Sequence, residues 1–445
     1  MTAYLRQFAD DELYRRNAFR VTAVATDAGP RVVRERQKKD AAAAAVGVVV
    51  GSDPRLPLPQ TPTAEEVRAA FEVLADPRRR LVHELFWLWG DVVDCGCAPD
   101  THERHDRAVR AHAAALEDGG PWADARASWV AALDDAGTWA HLRTRVATAD
   151  ARRLGVDAVD ELRAGAPRAL VATVVARAAR DPEPARLRGE AERWGLRPSE
   201  LDDLLLDVVH EDIAAVEAHL VEARARLDTD PRAALRALRP AVVDELDRID
   251  DLAPADRFRP VAELRNDAAI VLNNAALAVV EREPAADVTV AVDAYQDALS
   301  LATDPATRAT VTGNRESARR RPRTAAVLGR FGLGPGQEDV LMERMVVALE
   351  SRRLHDAHLM VSALLEIVDD PGERAQLRDV QRRIQAARTQ SPVGRRHGGA
   401  ATPVFWVGLL LTLLGAVVLV VGIGGWGPLA FGLGVFLMGV GWRRA

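Results

Sequence analysis

The residues from Pro403 to Trp442 include no charged side chain, and this run constrains the fold more than any other feature. It is too long for a single membrane span, which needs about 20 residues. The segment Gly424–Pro428 interrupts it with three glycines and a proline. The pattern therefore predicts two helices, near 404–422 and 428–442, that form a transmembrane hairpin. The alternative is a hairpin buried in a hydrophobic protein core.

Arginines flank the predicted hairpin on both sides: Arg395 and Arg396 precede it, and Arg443 and Arg444 follow it. Because such flanks favour the cytoplasmic side of a membrane, we expect both termini and the large soluble part in the cytoplasm, at the plasma (inner) membrane. The chain has two cysteines, which cannot cross-link a fold of this size. That fits a reducing compartment.

Glycines recur every seven residues along both predicted helices: Gly408, Gly415 and Gly422 in the first, and Gly434 and Gly441 in the second, with Gly427 directly before it. Small residues let membrane helices approach closely, and a seven-residue repeat produces a left-handed seam. We hypothesise that the two rows face each other within the hairpin. The alternative is that these glycines face lipid and have no role in packing.

The remainder of the chain has the composition of an all-α protein, rich in Ala, Leu and Val and with 5 % aromatic residues. Helical patterns broken by Asp-Pro pairs suggest an α-solenoid-like, repeat-like region, in which residues 291–315 resemble a tetratricopeptide unit. We expect helical repeats over 100–317, a flexible linker over 318–337, a helical pair over 338–388, a tether over 389–403 and the hairpin over 404–442. The formal net charge is -6, with acidic and basic residues interleaved. That pattern offers no basic stripe for nucleic acid, so we expect no nucleic-acid partner.

The most informative soluble segment begins at Thr63, a predicted helix N-cap that forms a capping box with Glu66. Val67, Ala70, Phe71 and Leu74 then share one helix face, and Asp76-Pro77 ends the helix. The sequence from Ala70 to Arg80, AFEVLADPRRR, resembles the end of the third helix in J domains. Phe71, Leu74, Asp76 and Pro77 match that scaffold.

Upstream, Ala18-Phe19-Arg20-Val21 and Asp27–Arg31 resemble the opening of a J domain. The resemblance covers about residues 14–90 and implies a J-like helical module, to which we assign residues 10–90. J domains carry a His-Pro-Asp tripeptide that activates a heat-shock chaperone ATPase. The corresponding segment here, 47–61, contains no histidine, and helix two is largely alanine. The departure predicts a J-like scaffold that does not stimulate a chaperone ATPase.

Phe86, Trp87 and Trp89 form an aromatic cluster with two possible roles. They either present a docking surface to a partner or pack the J-like module against the helices that follow. The packing interpretation predicts that Trp87 and Trp89 are mostly buried.

Cys95, Cys97, His102 and His105 have the residue types that bind Zn²⁺, but their spacing is shorter than in ordinary structural sites. We expect no metal and no cofactor, and leave the role of the two cysteines open. His83-Glu84 and His210-Glu211 each lack the second histidine of a metalloprotease motif. Asn266, Asn273 and Asn274, within a predicted helix, are expected to bond between helices or to line a groove.

Together these patterns predict a membrane-tethered, non-enzymatic interaction scaffold whose partners are the lipid bilayer and a protein that the sequence does not identify. The alternative is a membrane-bound co-chaperone that engages a heat-shock chaperone ATPase. A hydrolase with an unrecognised site is a third possibility.

Overall fold

The computed structural model describes residues 1–48, 52–91, 95–149, 154–155, 157–282 and 288–389. Within these ranges the regular structure is helical, with no strand, as the composition predicts. None of the helices in these ranges combines the length and apolar composition that a membrane span requires. The predicted hairpin lies outside the described residues, together with its glycine rows and arginine flanks.

The helices, numbered in chain order, are α1 Thr2–Phe8, α2 Ala18–Thr22, α3 Pro30–Ala45, α4 Ala64–Ala75, α5 Pro77–Leu85, α6 Pro99–Glu117, α7 Trp122–Asp134, α8 Ala136–Ala149, α9 Ala158–Ala178, α10 Pro184–Glu192, α11 Pro198–Arg226, α12 Pro231–Leu238, α13 Asp244–Leu252, α14 Arg259–Arg282, α15 Thr289–Leu301, α16 Pro305–Gly329, α17 Glu338–Glu350, α18 Leu354–Ile367 and α19 Pro371–Thr389. A π-helical turn, Arg239–Val243, separates α12 from α13.

The chain divides into two compact units. Unit 1 comprises Met1–Leu220 and Pro240–Arg265, and unit 2 comprises Val221–Arg239 and the chain from Asn266 onward. The expected boundaries differ from this division, because neither the J-like segment 10–90 nor the helical region 100–317 forms a unit of its own. In unit 1, α1 packs on α9, and α13 packs on α10.

Asp-Pro pairs set several helix starts, as the sequence predicts. The Asp76 carboxylate accepts hydrogen bonds from the backbone N–H groups of Arg78 and Arg79, and Asp304 accepts one from Thr307. Proline occupies the first helical position, where its missing N–H costs nothing. The capping box between Thr63 and Glu66 is present in full.

The described part of residues 10–90 encloses a small apolar core. Phe19 from α2, Val33 from α3, and Phe71 and Leu74 from α4 are buried there together with Trp87. Helix α4 packs on α2, α3 and α5. The apolar face predicted for α4 therefore points into this core.

A buried arginine fastens the loop that follows α3. Arg20 of α2 donates from Nε to the carbonyl of Leu56 at 2.9 Å and from a terminal nitrogen to that of Pro57 at 2.8 Å. The same guanidinium holds both carboxylate oxygens of Glu117, the last residue of α6, at 2.5 and 3.0 Å. The Arg20 side chain is only 1 % exposed, so this single residue joins three parts of unit 1.

The C-terminal part of unit 2 differs from the sequence prediction in two respects. Residues 318–329, expected as flexible linker, form the second half of α16, and Val327 and Leu328 are buried in the core that α17–α19 share. The expected pair over 338–388 consists of three helices, because a turn at Arg352, with φ of 57°, and the Asp370-Pro371 step both interrupt the segment.

Candidate metal centre

Three segments of unit 1 bring two cysteines and two histidines together. Cys95 and Cys97 lie in the loop before α6, His102 lies in the first turn of α6, and His141 lies in the second turn of α8. Pro99 starts α6, and the Asp135 carboxylate accepts a hydrogen bond from Gly137 N at the start of α8. Helices α6, α7 and α8 pack on one another, so their packing fixes the separation of the two histidines.

The four donor atoms all lie within 4.8 Å of one another. Cys95 Sγ is 3.5 Å from His102 Nε2, Cys97 Sγ is 3.3 Å from His141 Nδ1, and the two histidine nitrogens are 3.2 Å apart. Ligand atoms of a tetrahedral Zn²⁺ with two sulfurs and two nitrogens are separated by roughly 3.3–3.8 Å, from bond lengths of about 2.0–2.3 Å. These three separations are close to those of such a site, and the widest pair of donor atoms, up to 4.8 Å apart, must approach by about 1 Å to share one ion.

The histidine orientations favour metal binding. His102 Nδ1 donates to the carbonyl of Gly90 at 2.9 Å, which leaves the lone pair of Nε2 directed at the cluster. This is the arrangement in which a backbone acceptor fixes the tautomer of a ligating histidine. His141 directs Nδ1 at the cluster, while its buried Nε2 lies 3.9 Å from a Glu84 carboxylate oxygen and has no hydrogen-bond partner in the described structure.

Burial determines the protonation chemistry of the cluster. It lowers the pKa of His141 to about 3, with His102, His105 and Arg145 adding to the effect, so this imidazole is neutral and able to coordinate at pH 7. Burial, followed by the neighbouring Cys95, raises the pKa of Cys97 to about 11. A thiolate here therefore requires a bound cation. Two thiolates and one divalent ion have no net charge, which suits a largely buried position.

Glu84 connects the cluster to the rest of unit 1. Its carboxylate is fully enclosed and accepts a hydrogen bond from Arg145 Nε at 2.7 Å. Burial raises the pKa of Glu84, and the charge of Arg145 opposes that rise. One Glu84 oxygen therefore lies 2.7 Å from Arg145 Nε and 3.9 Å from His141 Nε2.

The aromatic cluster proves to be packing, and the docking interpretation is wrong. Phe86 and Trp87 are fully buried, and Trp89 is 7 % exposed. The Trp89 ring stacks between His105, at a centroid distance of 3.6 Å, and His141, at 4.0 Å. Phe86 contacts Trp129 of α7, so the aromatic residues join the J-like segment to the following helices, as the packing interpretation predicts.

The fourth residue of the cluster differs from the sequence prediction. The sequence pattern groups His105 with the two cysteines and His102, whereas His105 Nε2 donates to the carbonyl of Leu85 at 2.7 Å and lies outside the cluster. The actual partner, His141, is 39 residues beyond His102. The only sequence signal for His141 is that it is a single histidine on a nearby helix. The short spacing of Cys95, Cys97 and His102 indicated no metal site that such a histidine could complete.

The other sequence candidates have structural roles or stay apart. His83 is buried, with Ala18 N donating to its Nδ1 at 3.0 Å, and His210 is exposed. In unit 2, Asn314 donates to Asn273 at 2.9 Å, and Asn273 donates to Asn274 at 3.2 Å. Asn273 therefore bonds across to α16, as predicted, whereas its bond to Asn274 lies within α14, and Asn266 accepts a hydrogen bond from Asp304 N at 3.4 Å.

No family model matches the chain, and no curated protein and no solved structure is significantly similar to it.

Proposed function

We propose that this chain is a membrane-tethered, non-enzymatic interaction scaffold whose unit 1 is organised by a structural zinc ion. The observation that carries the proposal is the closed set of four ligands, Cys95, Cys97, His102 and His141. Catalytic zinc sites keep a position open for water or substrate, whereas structural sites use four protein ligands. Two sulfurs and two imidazoles favour zinc over calcium or magnesium, which take oxygen ligands.

The ion would fasten the loop at 95–98 to α6 and α8. Trp89, stacked on His141, and Glu84, behind it, connect this point to the J-like segment. The site is therefore placed where it can hold the J-like segment against the helices that follow. A fixed arrangement of helices supports a scaffold role, because helical surfaces recognise partners by shape.

Two further parts of the proposal rest on sequence. The charge-free run from Pro403 to Trp442, with arginines on both sides, supports the membrane hairpin and its cytoplasmic flanks. The absence of histidine from 47–61 supports a scaffold over the co-chaperone alternative. The described part of that loop is also held at Leu56 and Pro57 by Arg20, which suits a structural role.

Metal analysis of the full chain, purified in detergent without chelator, tests the zinc centre. We expect one zinc per chain, and loss of that zinc in Cys97→Ser and His141→Ala. The matched control is His105→Gln, which removes a histidine stacked on the same Trp89 but outside the ligand set and should retain the metal.

A second measurement separates metal loss from misfolding. A chelator should lower the thermal midpoint of the wild-type chain, because a ligand that binds only the folded state stabilises it. The midpoint of His141→Ala should not respond. Retention of full zinc by both ligand variants, or a wild-type chain without zinc after refolding in its presence, would refute the centre.

A further inference from the structure

Helix α16 carries a concentration of positive charge that the overall composition conceals. Residues 305–333 contain seven arginines and one acidic residue, Glu316, in a chain whose formal net charge is -6. The even mixture of acidic and basic residues along the rest of the chain therefore does not extend to this helix.

Five of these arginines lie on one side of α16, the last of them, Arg330, at its C-cap. Arg308, Arg315, Arg319, Arg323 and Arg330 follow one another at intervals of seven, four, four and seven residues. At about 100° per residue they fall within about 80° of one another, over a length of roughly 33 Å. Four of them are exposed, and Arg315 is half-buried. We name this set the arginine stripe.

Most of the stripe is not neutralised by neighbouring acids. Arg330 pairs with Glu366 at 2.6 Å. Arg308 donates to the carbonyl of Ala302, and Arg315 donates to the amide oxygen of Gln296. Within the described ranges, no acidic side chain pairs with Arg319 or Arg323. Glu316 and Asp369, the nearby acids, pair instead with Arg320, which lies outside the stripe.

We infer that the arginine stripe docks on the anionic headgroups of the membrane that holds the tether. This inference rests on the membrane anchorage in the proposed function. Helix α19 ends at Thr389 and the charge-free run begins at Pro403. A segment of that length spans at most about 50 Å, so unit 2 stays close to the bilayer surface. The cytoplasmic leaflet is rich in acidic lipids, which attract arginines placed beside a membrane anchor.

Charge and composition favour lipid over nucleic acid as the partner. Sites for single-stranded nucleic acid combine cations with aromatic side chains on which bases stack. Helix α16 contains no aromatic residue, and Thr312 and Ala326 are the residues interspersed on the face of the stripe. A linear row of guanidinium groups suits an extended surface of phosphates, each of which an arginine can bind in bidentate fashion.

The test uses the full chain in lipid nanodiscs, with a fluorophore on Ala326→Cys and a nitroxide quencher on the lipid headgroups. Ala326 is exposed and lies on the stripe, whereas Ser317, nine residues earlier, faces the opposite direction and provides the control position, Ser317→Cys. The background from Cys95 and Cys97 is measured on the chain without an added cysteine. Discs of phosphatidylcholine alone are compared with discs that also contain phosphatidylglycerol.

We expect quenching at Ala326→Cys to increase several-fold in the anionic discs and to disappear at high salt, because salt screens the attraction. Quenching at Ser317→Cys should not respond to lipid charge. The triple variant Arg315→Gln, Arg319→Gln and Arg323→Gln should abolish the increase. The control Arg107→Gln, Arg143→Gln and Arg186→Gln removes the same charge from exposed positions of unit 1 and should preserve it.

The experiment distinguishes failure of the stripe from failure of the tether. A chain that enters neutral discs but shows equal quenching in both lipids refutes the stripe and supports the tether. A chain that enters no disc refutes the tether, and its sedimentation with phosphatidylglycerol vesicles then decides the stripe. There the triple variant should bind about 100-fold more weakly, at about fivefold per arginine. Retention on an oligonucleotide without any response to lipid charge would assign the stripe to nucleic acid and overturn the inference.

Discussion

Replacing Glu117 with alanine should destabilise unit 1 by about 3 kcal/mol, through the charge that it leaves behind. Arg20 is 1 % exposed and divides its hydrogen bonds between the Glu117 carboxylate and two loop carbonyls. Without Glu117, two N–H groups and a full positive charge remain buried with no anion. Removing one partner of a buried ion pair costs about 3–5 kcal/mol. We take the lower end because Glu117 is 15 % exposed, so water can enter the space that it vacates.

Urea unfolding of the full chain in detergent, followed by tryptophan fluorescence, measures this loss. Six of the nine tryptophans lie in unit 1, at positions 87, 89, 122, 129, 139 and 194. At a denaturant slope of about 3 kcal/mol per molar, the midpoint should fall by about 1 M. Glu117→Gln keeps an acceptor oxygen and should lie between Glu117→Ala and the wild type.

The control is Glu103→Ala, two helical turns or more from Glu117 on the same helix. Its ion pair with Arg107 is exposed, at 74 % and 63 % for the two side chains, and should contribute no more than about 0.5 kcal/mol. If Glu117→Ala shifts the midpoint no further than Glu103→Ala does, Arg20 is not the buried junction that the structure indicates.

Two further perturbations address the metal centre and the pH dependence. A Cβ added at Gly137 would lie 2.5 Å from the Thr101 hydroxyl, beside His102, so Gly137→Ala should cost about 1–3 kcal/mol of stability and weaken zinc binding in a competition titration. The control Gly189→Ala has open space around its Cβ and should stabilise its helix by about 0.5–1 kcal/mol. Equal effects of the two substitutions would contradict the close contact at Gly137. Burial lowers the pKa of His112 to about 3, so below about pH 6.5 this residue binds a proton in the unfolded chain that the folded chain excludes, and its contribution to stability falls by about 1.4 kcal/mol per pH unit down to pH 3. His112→Gln should reduce the slope of the unfolding free energy against pH in urea titrations between pH 6 and 4. A slope equal to that of the wild type, or the same reduction in the exposed control His210→Gln, would show that His112 is not the source of the pH dependence.

Local signals in the sequence predicted the features that local physics determines. The Asp-Pro helix starts, the Thr63 cap and the burial of Trp87 follow from interactions within a few residues or from the size of an aromatic ring. The sequence predicts a linker at 318–329 because the glycines that follow favour flexibility, whereas the structure shows a helix there. Its helix is stabilised by the burial of Val327 and Leu328, which depends on partners in α17–α19.

The metal centre and the arginine stripe escaped prediction for different reasons. His141 joins the ligand set through the packing of α8 on α6, and no short spacing in the sequence encodes that contact. The arginine stripe was not predicted because the net charge, which is summed over the whole chain, does not show how the arginines align on one helix face.

The discontinuity of unit 1 has a consequence for how the chain acquires its structure. All four residues of the proposed metal centre have been synthesised once residue 141 is made, but α13, which packs on α10 and buries Leu246 and Ile249, comes more than a hundred residues later. During translation, the surface of α10 that α13 later covers is therefore exposed until α13 has been synthesised. Residues 221–239, which are synthesised in between, belong to unit 2. A chain ending at Leu220 would keep that apolar surface permanently open, so no single cleavage point can release unit 1 as a soluble fragment. Unit 1 can finish folding only after α13 has been synthesised, well beyond the proposed metal centre. The order in which the helices are synthesised therefore affects how unit 1 folds.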